Sequence, residues 1–176
     1  MERGKGVRIL SLDPSLTATG WVVLQNDVVL TVGCIKTEPS GKRSRVRKSD
    51  DRMRRVSEIN KVLCEVIQTS HIQYIVSELP HGSQSAVAAI ALGLICGTIQ
   101  GIADSLDIGL EWFSEGDSKR CLLGKASATK NETIQAVDKY YTVPWTNVGY
   151  RDEAIADAIS VYHVAKQQSP TIKFLK

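Results

Sequence analysis

Residues 7–13, Val7-Arg8-Ile9-Leu10-Ser11-Leu12-Asp13, decide the reading of this chain: they form an apolar run that ends in a carboxylate. The run has the length and composition of a buried strand. Pro14-Ser15 breaks it, and Thr17 to Asn26 returns as a second apolar strand. A carboxylate at the end of a core strand is costly to bury unless something pairs with it. Glu78 ends a second such run, Ile72-Gln73-Tyr74-Ile75-Val76-Ser77, and Asp152, Glu153 and Asp157 open the last periodic segment. Each acid alone has a plain explanation. Asp13 before Pro14 can start a turn, Glu78 can meet an arginine, and Glu153 suits a helix N-terminus. Acids delivered from three core elements together point to a cation site, with Mg²⁺ the expected ion.

Working outward, strands are predicted over about 7–13, 20–26, 28–37, 72–78 and 109–113, with a hairpin turn at Asn26-Asp27. Helices are predicted over about 51–68, 84–106, 114–123, 129–141 and 152–167. The first takes its cap from Ser49 or Asp50 and its apolar face from Met53, Val56, Ile59, Leu63 and Val66 or Ile67. The fourth opens on a capping box, Thr129 to Glu132. In the second, Gly93, Gly97 and Gly101 form one stripe, which suits either close packing on the chain's own sheet or a subunit interface. The order is an antiparallel meander followed by two strands with helical crossovers. Right-handed crossovers set strands four and five parallel to strand one and give the sheet order 3-2-1-4-5. Asp13 and Glu78 then share the carboxyl edge, where ligands of open α/β sheets bind.

At 176 residues the chain reads as one α/β domain over 1–176 with a proper core. Its 43% hydrophobic and 23% charged content suits a soluble protein. The apolar run Ala86 to Ile99 is shorter than the ~20 residues of a spanning helix, and no leader is visible, so a cytoplasmic protein without membrane contact is expected. Cys34, Cys64, Cys96 and Cys121 are widely spaced and read as reduced core residues, against a zinc site. Net charge is only +3, but Lys42, Arg43, Arg45, Arg47, Lys48, Arg52, Arg54 and Arg55 are crowded together. This basic loop, about 38–50, is either a solvated segment or a phosphate-backbone contact. His71 and His163 read as structural, Trp21, Trp112 and Trp145 as packing, and the tail 167–176 as flexible or wrapped on a partner.

On the last helix, Glu153 and Asp157 are separated by about 40° around the axis and can share a face. Asp152 diverges from Asp157 by about 140° and is placed to cap the helix instead. Val161 and Val164 continue the side of Glu153 and Asp157, which marks that face as covered.

These residues resemble the RuvC family of Holliday-junction resolvases, on the RNase H-like fold, from Arg8 to about Lys166. Ile9-Leu10-Ser11-Leu12-Asp13-Pro14 with Thr19-Gly20 is similar to the family's opening strand, and Ile75-Val76-Ser77-Glu78 to the strand carrying its glutamate. Asp117 to Lys130 resembles its K-x-x-(apolar)-x-G-x-(small)-x-x-x-K stretch, with Lys119 and Lys130 on the two lysines. Asp157-Ala158 matches the closing D-A-(apolar) helix. Three departures stand out. Ser15 replaces a glycine, Ala154 stands where the family places its fourth acid or histidine, and Leu79-Pro80-His81 replaces an aromatic wedge. Glu153 is the expected substitute ligand, with Asp152 the lesser choice.

The resemblance implies a structure-selective DNA endonuclease that resolves four-way junctions by paired symmetric nicks in recombination, repair or phage DNA processing. It implies two Mg²⁺ ions, replaceable by Mn²⁺, with Asp13 shared, Glu78 on one, and Glu153 with Asp157 on the other. Lys119 and Lys130 serve the scissile phosphate. Expected DNA contacts are Lys42, Arg43, Arg45, Arg47, Lys48, His81, Ser83, Gln84, Lys119, Lys125 and Lys130, with His81 a DNA contact rather than a metal ligand. A homodimer is expected through the glycine-striped helix; a helicase partner is unknown. Rival readings are a broader flap or fork nuclease, a non-catalytic branched-DNA binder, and an actin-like nucleotide-binding domain.

Overall fold

Strand β1 (Arg8–Asp13) runs through the middle of the sheet, with an antiparallel hairpin on one side and a parallel strand on the other. The computed structural model describes residues 6–41, 44–81 and 85–175. β2 (Ala18–Gln25) and β3 (Val28–Lys36) are joined at Asn26-Asp27, whose φ angles are 50° and 67°. Two left-handed residues make a type I′ turn, and Asn and Asp tolerate that region better than most side chains. β4 (Tyr74–Leu79) lies parallel to β1, and β5 (Gly109–Ser114) parallel to β4. The order β3-β2-β1-β4-β5 is the one expected.

Strand alternation sorts the core into two layers. Leu10, Leu12, Val23 and Ile75 pack under α1 (Lys48–Thr69) and α2 (Ala86–Ser105), against Ile59, Leu63, Ile95 and Ile99. Ile9, Val22, Leu24 and Val76 face the opposite layer. That layer holds α3 (Glu115–Leu123), α4 (Lys130–Val137), α5 (Gly149–Gln168) and α6 (Pro170–Phe174). α5 lies directly on the sheet centre. A Cβ at Gly20 would sit 2.0 Å from the Ala154 carbonyl oxygen, so only glycine lets the helix backbone come this close to β2. Ser11 Oγ completes the contact by donating to the Ala158 carbonyl at 2.6 Å.

Several expectations need correction. α1 starts at Lys48 without a side-chain cap, so Lys48 belongs to a helix rather than to the loop. Met53 is exposed, whereas Arg55 is buried: its guanidinium bonds Thr37 Oγ1 at 2.8 Å and the Leu16 carbonyl at 3.1 Å, tying α1 to the loop after Asp13. Asp51 is buried too, accepting from Ser40 N at 3.0 Å and from Arg54 at 2.8 Å. α5 starts three residues before the expected 152, so Asp152 is inside the helix. The tail is docked rather than loose over its described part: Ser169 caps α6 and Ile172 is fully buried.

α2 departs most. A Cβ at Gly93, Gly97 or Gly101 would meet nothing within 4 Å, so the stripe does not pack on the chain's own sheet. The helix continues past Ile99 to Ser105, and by length and composition its 20 residues could cross a membrane. Within this fold it is anchored by Ile95, Ile99, Ile102 and Ala103. The cysteines are free and half-buried rather than core residues.

Candidate active site

Parity and register bring the first two acids together. Leu12 pairs with Ser77 across β1 and β4, so Asp13 and Glu78 follow as the next residues on adjacent strands. Both carry the parity of Ile9 and Val76 and point to the α5 side. Asp13 is also the cross-strand partner of Gly20, the residue that admits α5. The same contact that seats α5 therefore delivers Glu153 and Asp157 to Asp13. Asp13, Ser15, Ala18, Lys130, Tyr150, Glu153, Ala154 and Asp157 line one cleft of about 210 Å³. Glu78 and Lys119 stand outside that wall but within the electrostatic reach of Asp13 and Asp157.

Electrostatics show how closely the acids are grouped. Asp13 is pushed up to about 8, first by burial and then by Asp157 and Glu115, with Lys119 and Lys130 opposing. Glu78 is pushed up to about 9 by burial first, then by Asp13, Asp157 and Glu115. Burial also lifts Asp157 to about 6, with Lys119 and Lys130 opposing it. Among the described residues, the carboxylates of Asp13, Glu78 and Asp157 have no hydrogen-bond or ion-pair partner. Nor, among those residues, do three His, Cys, Asp or Glu side chains form a ready-made cation cage. The donor set still fits a hard divalent cation: oxygen donors only, with negative charge that Lys119 and Lys130 offset only in part.

The other expected residues are distributed as follows. Lys130 pairs with Glu153 on the cleft wall. Lys119 pairs with Glu115 one helical turn back, and Lys125 with Glu132 at 2.6 Å. Asp152 is turned to Thr146, accepting from its N at 2.8 Å and its Oγ1 at 2.7 Å; this accounts for that acid without a cation. His81 is exposed and lies 3.8 Å from Glu115. Arg45 and Arg47 sit on the exposed loop and Lys48 opens α1. Lys42, Arg43, Ser83 and Gln84 lie outside the described residues.

Two departures from the family pattern have local reasons. Ser15 Oγ accepts from Thr17 N at 3.2 Å and Ala18 N at 3.4 Å, while Thr19 Oγ1 donates back to the Ser15 carbonyl at 2.5 Å. A hydroxyl thus fixes the loop that carries Asp13. Ala154 is buried against Gly20. Sequence reasoning missed Glu115 and Tyr150. Tyr150 lies between two cations, with Lys36 Nζ 5.2 Å and the Arg151 guanidinium 5.8 Å from its ring centroid. Glu115 with Lys119 reads only as an ordinary i, i+4 helix pair and Tyr150 as a surface aromatic, so neither is marked as part of a site until the fold brings the acids and Lys36 to them.

The sheet order, the helical layers and the acids at the carboxyl ends of β1 and β4 define an RNase H-like domain with an acidic cleft. Residues 9–163 match the family described as crossover junction endodeoxyribonuclease RuvC, and the chain belongs to that family. One curated relative, a crossover junction endodeoxyribonuclease RuvC from Chlorobium phaeobacteroides, is 26% identical over 139 residues, 77% of this chain and 70% of the relative. Another, from Shewanella woodyi, is 24% identical over 162 residues, 90% and 88% of the two chains. The solved structure of T. thermophilus RuvC in complex with Holliday junction substrate shares the fold, with a TM-score of 0.69 at 18% identity over 90% of this chain and 92% of that one.

Proposed function

We propose that this protein is a divalent-metal-dependent endonuclease that resolves four-way DNA junctions. The observation that carries the reading is the set of unpaired carboxylates, Asp13, Glu78 and Asp157, gathered from three elements beside two lysines. Membership of the RuvC family supports it. Asp13, Glu78, Asp157 and Glu153 would hold Mg²⁺, two ions per site, with Mn²⁺ able to replace it. When bound, the ions would supply Lewis acidity for phosphodiester hydrolysis, and the expected ends are a 5′-phosphate and a 3′-hydroxyl. Lys119 and Lys130 place positive charge at the cleft for the scissile phosphate. Tyr150 on the cleft wall, with Lys36 and Arg151 beside its ring, would offer a DNA strand cations and an aromatic face together.

The basic segment from Lys42 to Lys48 holds the DNA arms through phosphates and adds salt-sensitive affinity without sequence preference. Paired cuts need two sites related by a two-fold axis. The exposed face of α2, with Val87, Ile90 and the three glycines, is the surface for that second copy. The setting is the cytoplasm of a bacterial or phage-infected cell.

The test is cleavage of an end-labelled immobile four-way junction against linear duplex and a flap, in Mg²⁺ or EDTA. Metal-dependent, symmetric, ligatable cuts on the junction are expected. Equal cutting of flaps replaces junction resolution with a debranching activity. Tight binding without cutting marks Ala154 as the sign of a disabled site.

A further inference from the structure

Glu115 is the one carboxylate near the cleft that this chemistry leaves without a role. It opens α3 directly after β5, where Ser114 is the partner of Leu79 at the end of β4. One oxygen accepts from the Lys119 ammonium, and the other faces His81 Nδ1 at 3.8 Å. Lys119 is far more enclosed than Lys130, with side-chain exposures of 19% and 67%. Among the described residues Glu115 is the sole acceptor for the Lys119 ammonium. The field of the ammonium also reaches Asp157 and Glu78, which among the described residues have no hydrogen bond or ion pair. An enclosed ammonium without Glu115 has those two acids as its nearest compensation. Pairing with either would take a donor from the cation site and remove the lysine from the phosphate.

Building on the junction-nuclease reading, we propose that Glu115 is a positioning residue: it holds Lys119 at the side of the cleft, clear of Glu78 and Asp157. The competing explanation is an ordinary i, i+4 helix pair with an acid on the favourable end of the dipole and without effect on the site. The two differ in what happens once Lys119 is gone, because a positioning residue acts only through the group it positions.

The experiment is a double-mutant cycle on the full chain with Glu115→Gln, Lys119→Gln and both, plus Glu115→Asp as the conservative variant. Mn²⁺ affinity of the DNA-free protein is read by calorimetry, and single-turnover junction cleavage is read separately. In the wild-type background, Glu115→Gln is expected to weaken Mn²⁺ binding several-fold and slow cleavage by roughly 10–100-fold, the range for residues that orient site groups. Glu115→Asp recovers part of both, and junction affinity in EDTA stays within about twofold. In the Lys119→Gln background the same substitution is expected to change Mn²⁺ affinity by less than about twofold. An equal loss in both backgrounds overturns the proposal and makes Glu115 an independent contributor to the cation field. An unchanged Mn²⁺ affinity in Glu115→Gln also overturns it and leaves a surface pair. A wild-type protein that binds Mn²⁺ but cuts nothing refutes the nuclease reading, while the Mn²⁺ cycle still decides the role of Glu115.

Discussion

α2 and α5 are both 20 residues long, yet α5 buries twelve of its positions and α2 only four. The more apolar helix is the exposed one: α2 has a mean hydropathy of 2.0, while α5 carries Asp152, Glu153, Asp157 and His163. Place in the topology decides this, not composition. α5 crosses β1 and β2 at the centre of the sheet, where Gly20 lets it settle, and α2 flanks the outer strand β5. The central helix can hold acids because the cleft needs them there. The outer helix can stay apolar only if something covers it, and a second copy of the chain is the proposed cover.

The sharpest way to break this contrast is to remove an acid from beneath α5. Asp13→Asn is expected to leave the fold and junction binding intact and to lower the cleavage rate roughly a thousandfold, the upper scale for deleting a group that stabilises transition-state charge. Junction cleavage and a gel-shift titration check it together. Next comes the seat of the helix. Gly20→Ala forces a methyl group against the Ala154 carbonyl and is expected to cost about 1–3 kcal/mol in denaturant unfolding. It should also displace Glu153 and Asp157, so cleavage falls with stability.

The pH dependence sharpens the same side. Asp13, Glu78 and Asp157 have folded-state values of about 8, 9 and 6, all above the usual carboxylate range. Groups raised in this way favour the folded state below about pH 4, where both states are protonated alike, and oppose it as pH climbs through those values. In EDTA, the melting temperature should therefore fall between pH 5 and pH 9, by about 3 °C or more, the shift that roughly 1 kcal/mol produces at this size. Mg²⁺ should remove most of the difference at pH 9, and a flat profile in EDTA would show that burial does not raise these acids in the folded protein. The smallest effect is expected on α2. Gly97→Ala should raise the stability of the single chain by up to about 1 kcal/mol through helix propensity, because its Cβ meets nothing. The same methyl group should weaken self-association, measured by sedimentation equilibrium. Stabilisation without weaker association would move the interface off this stripe.

The strand order and the three main acids were legible because a carboxylate ending an apolar run contrasts with its surroundings. The two lysines proposed for the scissile phosphate, Lys119 and Lys130, needed the family resemblance, since a lysine near a helix start carries no such contrast. Arg55 reads as polar surface in any periodicity count, and only the carbonyl of Leu16 and the hydroxyl of Thr37 show why it is inside. The start of α5 was misplaced because Val148 caps nothing with its side chain, whereas Asp152 has the chemistry of a cap and uses it on Thr146. The order in the tail did have a signal, Ser169 followed by Pro170 at the first helical position. Glu115 had none: its significance depends on Lys119, His81 and three acids that only the fold assembles.

The hydrogen bond from Ser11 to Ala158 joins the first strand to a helix 147 residues later in the chain. Until residues 149–168 have left the ribosome, the carboxyl ends of β1 and β4 have Asp13 and Glu78 but no α5 to bring Asp157 to them. A nascent chain can therefore form its hairpin and much of its sheet without becoming a nuclease. The acidic cleft is therefore the last part of the sheet's carboxyl edge to be completed, after the strands that bear its first two acids.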